Sequence, residues 1–229
     1  MPECATLKTR GTFRVNLWIT FVGFLDTHLL IPIMALYAVQ LGARVGVVGL
    51  IIGFYSIANA PANIFFGRVI DRVGAKVPLI FGLLGDALAM FLYSLCRVPF
   101  HLILVRLFHG ISGGIIGPAT MSITASHTTS HRGGRTMAFY GMSLAAATLV
   151  GYVVSATLAS RMGYEFVFYV GSLMLISGVG AALILPVRTG VTFAQVSAPL
   201  REDLGKIAGL MKRKGLVLTF HKADYSGML

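Results

Sequence analysis

Six stretches of about 20 or more mostly apolar residues run through this chain, separated by short polar connections. A helix rises about 1.5 Å per residue, so a hydrocarbon layer of about 30 Å asks for about 20 residues. Backbone groups in lipid must be paired within the chain, so such stretches are helices or a closed barrel. These runs are too long and too continuous for alternating barrel strands. Composition agrees: 56% of the residues are hydrophobic and 12% are charged, roughly half the charged share of a soluble domain. The sequence therefore predicts an all-α membrane protein, with six transmembrane helices over residues 1–186 and a polar tail over 187–229.

The spans are expected at residues 15–41, 45–66, 77–95, 99–126, 136–159 and 165–185. Pro78 and Pro99 stand where two of them begin, positions at which a missing N–H costs little. The first apolar run is too long for a cleavable signal peptide, and no small-residue cleavage site follows it.

The formal net charge is +11, and the positions of the charges matter more than their sum. Lys8, Arg10 and Arg14 precede the first span; Arg68, Arg72 and Lys76 follow the second; Arg132 and Arg135 follow the fourth. Seven more, from Arg188 to Lys222, follow the sixth. The alternate connections carry only Arg44, Arg97 and Arg161. Basic connections stay cytoplasmic, so both termini are expected inside the cell membrane. No nucleic-acid motif occurs, and the basic surface suits anionic lipid heads. From Pro199 to Lys214 apolar residues recur at Leu200, Leu204, Ile207 and Met211, the spacing of an amphipathic helix lying on the inner surface; a disordered linker is the alternative. Cys4 and Cys96 fall on opposite sides, so no disulfide is expected.

Arg72-x-Gly74 with Gly82 recurs as Arg161-x-Gly163 with Gly171, at one constant offset and on opposite membrane faces. An inverted three-plus-three repeat requires that arrangement; chance recurrence is the alternative.

Five ionisable residues fall within the spans: Asp26, His28, Asp86, Arg106 and His109. Each costs about 3 kcal/mol in lipid and is expected to face the bundle interior or a wet cavity. Counting helical rise puts Asp26 and Arg106 both near the midplane, so these two are expected to pair, with Asp86 nearer the cytoplasm. His28 and His109 are candidate proton relays or satisfied interior residues. Arg106, Gly110 and Gly114 are four residues apart, which sets the arginine above a smooth stripe that another helix can approach. Tyr55, Asn59, Asn63, Tyr140 and Tyr152 are candidate cavity-lining residues on the second and fifth spans. His127 and His131, one turn apart, form a weak metal pair at best, a solvated loop end being the simpler reading. No cofactor is implied.

Two patterns carry a family resemblance. Gly67, Asp71, Arg72, Gly74 and Lys76 follow Gly-x-x-x-Asp-Arg-x-Gly-x-Lys. This resembles the signature connection between the second and third helices of the major facilitator superfamily, with Ala75 at a position that is commonly basic. Arg106-x-x-x-Gly110-x-x-x-Gly114 resembles that family's fourth-helix arginine motif, linked there to proton coupling. The fifth-helix antiporter pattern is absent, since no proline lies between Thr136 and Gly163. The resemblance covers nearly the whole chain. It implies a secondary transporter of a small solute working by alternating access; the depth of Asp26 in the bilayer and the nearness of Arg106 make Asp26 the expected protonation switch. It also implies a second six-helix bundle, so the chain is expected to be a truncated transporter, a half that pairs with a second copy, or a remnant. A non-transporting membrane scaffold is the alternative. Gly110-Ile111-Ser112-Gly113 also resembles the nucleophile motif of rhomboid intramembrane proteases, but the sixth span offers no histidine base.

Overall fold

The structure, a computed structural model, describes residues 2–126 and 133–185. Six helices account for almost all of them: α1 (Pro2–Gln40), α2 (Val45–Val73), α3 (Lys76–Ser94), α4 (Pro99–Ser126), α5 (Gly133–Met162) and α6 (Tyr164–Ile184). All six are long and apolar enough to cross a membrane, α1 through its Gly11–Gln40 portion. The amphipathic segment of the tail and the His127–His131 pair lie outside the described residues.

Glycine ends the helices at three connections. At the end of α1, Gly42 has φ 87°, and Gly42 N–H donates to Val39 O (2.9 Å) while Ala43 N–H donates to Ala38 O (3.0 Å). That is the Schellman closure of a helix C-terminus. Gly74 and Gly163 share a second geometry, φ 86° with ψ 161° and φ 87° with ψ 168°. Each donates its N–H four residues back, to Ile70 O and Ala159 O. These are the glycines of the repeated Arg-x-Gly, so the recurrence has a conformational cause: only glycine holds this positive φ at little cost.

Packing repeats the same symmetry. The principal contacts are α2 with α4, α1 with α5, α3 with α6, α3 with α4, and α1 with α6. Exchanging α1, α2, α3 for α4, α5, α6 leaves that set unchanged, as a three-plus-three repeat demands. The close seams correspond too. A Cβ on Gly110 of α4 would lie 2.5 Å from Tyr55 O of α2, and one on Gly151 of α5 would lie 2.7 Å from His28 Cβ of α1. Glycine lets the backbones touch in both, which is how helices associate when lipid supplies no hydrophobic drive. The core fills the space among α1, α3, α4 and α6 with Ile19, Leu30, Met34, Leu83, Met90, Tyr93, Ile116 and Phe168.

One expectation changes. Residues 67–73, expected in the connection after a span ending at 66, are the last two turns of α2; the connection itself is Gly74–Ala75. Helices continue past the hydrocarbon into the head-group layer, where charged residues cost little, so hydropathy ends a span earlier than the helix ends.

Candidate functional site

Three buried polar side chains meet between α1, α3 and α4. His109 Nε2 lies 2.9 Å from Asp26 Oδ2 and 3.8 Å from Asp86 Oδ1. One donor atom from each of the three residues fits within 4.8 Å, and none of the side chains is more than 1% exposed. The imidazole is held from behind, since Tyr93 OH is 3.2 Å from Nδ1. A neutral His109 satisfies every contact in one tautomer: Nε2–H donates to Asp26, and Nδ1 accepts from the Tyr93 hydroxyl. Ser112 Oγ donates to Asp86 Oδ1, whereas Asp86 Oδ2 is buried without a hydrogen-bond partner.

Arg106 is buried but does not pair with Asp26; among the described residues no carboxylate lies within ion-pair distance of it. Its guanidinium carbon sits 5.6 Å from the Tyr55 ring centroid and 5.8 Å from that of Tyr93. Both rings meet His109 edge-on, at 5.1 and 5.8 Å. The arginine is therefore held by aromatic faces, a cation–π arrangement strengthened by burial. Depth counting correctly set Asp26 and the Arg106 turn at one level. It could not tell which residue of that turn faces α1, and the helix rotation presents His109. Asp86 stands beside Asp26 rather than at another depth, because residues of α1 and α3 cannot be counted from a common origin.

The second-helix candidates form a ladder. Tyr55 OH is 3.3 Å from Thr27 Oγ1; Asn59 Nδ2 donates to Gly110 O (3.2 Å) and approaches Tyr55 OH (3.4 Å); Asn63 Nδ2 donates to Asn59 Oδ1 (3.4 Å). The fifth-helix candidates make other contacts. Tyr140 OH is 3.3 Å from Thr120 Oγ1, and Tyr152 is exposed and packs beside His28. His28 does not join the cluster: its Nδ1 is 2.6 Å from Phe24 O and its Nε2 is 3.0 Å from Thr148 Oγ1, on the α5 side. Gly110 and Gly114 are seam residues against α2.

In the signature segment, Asp71 is exposed and makes no hydrogen bond or ion pair among the described residues, and Arg72 is half-buried. Gly67 is not a packing contact, for a Cβ there would meet nothing within 4 Å. Lys76 has a defined role: its Nζ donates to Leu183 O (2.9 Å) and Leu185 O (2.7 Å), capping the C-terminus of α6.

Tyr93 and Ser112 complete the cluster beyond the ionisable residues that the sequence marks out. The spacing carried the signal: Tyr93 is seven residues from Asp86 on α3, and Arg106, His109 and Ser112 are three apart on α4. As for proteolysis, the Ser112 hydroxyl is bonded to Asp86 and to the carbonyls of Phe108 and His109, and among the described residues no imidazole bonds to it.

A family model described as Major Facilitator Superfamily matches residues 17–220, most of the chain. The chain belongs to that superfamily. Among its superfamily relatives, the staphyloferrin B transporter of Staphylococcus aureus is 28% identical over 163 residues, covering 68% of this chain and 38% of the relative. The multidrug resistance protein MdtH of Yersinia pestis is 27% identical over 187 residues, covering 81% and 45%. The fold is that of solved superfamily transporters. A peptide transporter POT, crystallised with sulfate, superposes with TM-score 0.72 at 15% identity, over 91% of this chain and 45% of that one. The human organic anion transporter MFSD10 gives TM-score 0.64 at 18% identity, over 81% and 52%. The chain spans about two fifths of the length of the curated relatives it matches. With six membrane-length helices and this family, it is a multi-pass membrane protein.

Proposed function

We propose that the chain is the N-terminal six-helix half of a proton-coupled secondary transporter of a small solute. The observation that carries this reading is the buried contact of Asp26 and Asp86 through His109. Three protonatable groups on three helices, walled from water, can take up a proton and move it between α1, α3 and α4. The groups facing them are Arg106, Tyr55, Tyr93 and Ser112.

Two carboxyl groups and one guanidinium share this buried site, where unbalanced charge is costly, so proton uptake on the carboxyls offsets it. Arg106 in the next layer disfavours a divalent ion in the same space.

In this reading residues 1–186 are the bundle and residues 187–229 the cytoplasmic central segment, whose basic residues meet anionic lipid heads. Both termini face the cytoplasm of the cell membrane. A second bundle, from a C-terminal half or a second copy, completes the alternating-access path and packs on the apolar faces of α2 and α5, where Leu50, Ile57, Leu149 and Val153 are exposed.

The test uses everted vesicles from cells expressing the chain, energised and carrying an internal pH dye, screened with a solute panel. A solute that moves protons in wild type and not in Asp26→Asn or Asp86→Asn supports the reading. Proton movement that survives both substitutions overturns it, as does a panel on which no solute acts in the presence of the second bundle.

A further inference from the structure

Gly82 and Gly85 bring α3 hard against α4, for a Cβ on the first would lie 3.0 Å from Ile115 Cβ and one on the second 2.6 Å from Ser112 Cβ. From residue 86 to 109 neither helix carries a glycine, and the packing loosens toward the Leu95–Val98 connection. A cavity of about 260 Å³ remains there, lined by Leu92, Leu95 and Cys96 of α3 and by His101, Leu104 and Val105 of α4. Leu95, His101 and Leu104 are exposed, so the cavity is a groove open on the outside of the helix pair. In a chain whose helices cross a membrane that outside is lipid, at the end of α3 opposite Lys76. The charge beside the groove has one sign. Arg97 is exposed, directly follows Cys96 and makes no ion pair among the described residues. No carboxylate occurs in the sequence between Asp86 and Glu165. Asp86 is buried in the cluster, and Glu165 starts α6, which packs on α1, α3 and α5 rather than on α4.

We infer that this groove binds one anionic phospholipid, with an acyl chain along Leu92, Leu104 and Val105 and the phosphate held by His101 and Arg97. The walls offer hydrocarbon and one thiol, so they gain from an apolar chain and not from water. The mouth offers the guanidinium of Arg97, whose fork matches a phosphate, and a ring N–H of His101 in either protonation state. Both residues belong to the helix ends, where head groups meet the edge of the hydrocarbon. A zwitterionic lipid brings an ammonium group that competes for its own phosphate, whereas an anionic lipid leaves its phosphate to the protein. A second copy docked two-fold through this face would set Arg97 against like charge, which costs affinity. The site stands apart from the buried carboxyl cluster, so it does not depend on the coupling reading.

The experiment sets a single tryptophan beside the groove in the purified full chain, reconstituted in lipid. Trp18→Phe removes the native tryptophan, and Phe100→Trp, one turn before Leu104, reports the groove. Phe81→Trp, at a position equally exposed (62%) but toward the other end of α3, is the control. Quenching by phosphatidylglycerol with brominated acyl chains is compared with quenching by the corresponding phosphatidylcholine. The inference expects the anionic lipid to be favoured about fivefold in Phe100→Trp and not in Phe81→Trp. Arg97→Gln with His101→Gln, both at exposed positions, should abolish that preference. Val105→Phe, which fills the groove, should abolish it as well. The inference is overturned if the two lipids quench Phe100→Trp alike, or if the preference survives either the charge removal or the filling. It is also overturned if neither lipid quenches Phe100→Trp, since protein then covers the face. An equal preference in Phe81→Trp overturns it too, because that marks a general attraction of anionic lipid to a basic chain.

Discussion

His109 on α4 reaches Asp26 on α1 through Nε2, 2.9 Å from Oδ2, with neither side chain exposed to solvent. The neighbouring Arg106, whose charge would make it the obvious partner, is instead held between two tyrosine rings. This choice of partner can be measured. In a double-mutant cycle, Asp26→Asn and His109→Gln should each lower stability by about 2 kcal/mol and show a coupling energy of about 1 kcal/mol or more. Asp26→Asn with Arg106→Gln should be additive. Thermal or denaturant unfolding in detergent provides the readout, and coupling confined to the arginine pair would contradict the geometry.

The glycines of the two sequence motifs should separate sharply. A Cβ on Gly114 would lie 2.6 Å from Ala62 Cβ and 3.0 Å from Asn59 O, so Gly114→Val overpacks the α2–α4 seam. Its expected cost is about 1–3 kcal/mol. Gly67 has open space around it within a helix, so Gly67→Ala should stabilise the bundle by about 0.5–1 kcal/mol. Unfolding midpoints of the two variants check this, and equal effects would contradict it.

Lys76 ties the start of α3 to the end of α6 through Leu183 O and Leu185 O. Lys76→Ala should cost about 1 kcal/mol, and Lys76→Arg less. The loss should be local. Hydrogen exchange of the last turn of α6 should quicken in Lys76→Ala, while α1 and α4 exchange as before.

Burial pushes the Cys96 thiol from its usual value of 9.0 up to about 11. The reactive thiolate appears only as pH rises through that higher value, so at pH 8 its share is about 100-fold below that of an ordinary cysteine. In a Cys4→Ser background, alkylation of Cys96 at pH 8 should be slower than that of a free thiol by at least that factor. It should accelerate steadily toward pH 11. A free-thiol rate would show that Cys96 is not packed beneath the Tyr37 hydroxyl, which bonds its carbonyl.

The six helices were legible in the sequence because a bilayer fixes their length, and the fourth was bounded correctly by Pro99 and Ser126. The three-plus-three relation was legible in Gly74 and Gly163, whose backbone angles nearly coincide. The cluster's members Asp26, Asp86 and His109 were legible as costly intramembrane charges. Their partners were not. Arg106 and His109 differ by three residues, about 4.5 Å in height, so depth cannot choose between them. The choice depends on the rotation of α4, which Gly110 and Gly114 set by pressing one face of that helix against α2. Tyr93 carries no such signal because it is not expensive in lipid by itself, and Ser112 stands out in the sequence only as part of a nucleophile-like motif, not as a partner of Asp86.

The most direct measurement is an infrared pH titration of the purified chain in lipid, following the carbonyl stretch of protonated carboxylic acids. The account predicts a titrating carboxyl band that is lost in Asp86→Asn and shifted in Asp26→Asn and in His109→Gln, because the three groups share one buried contact. A spectrum with no titrating band, or one that all three substitutions leave unchanged, would contradict it.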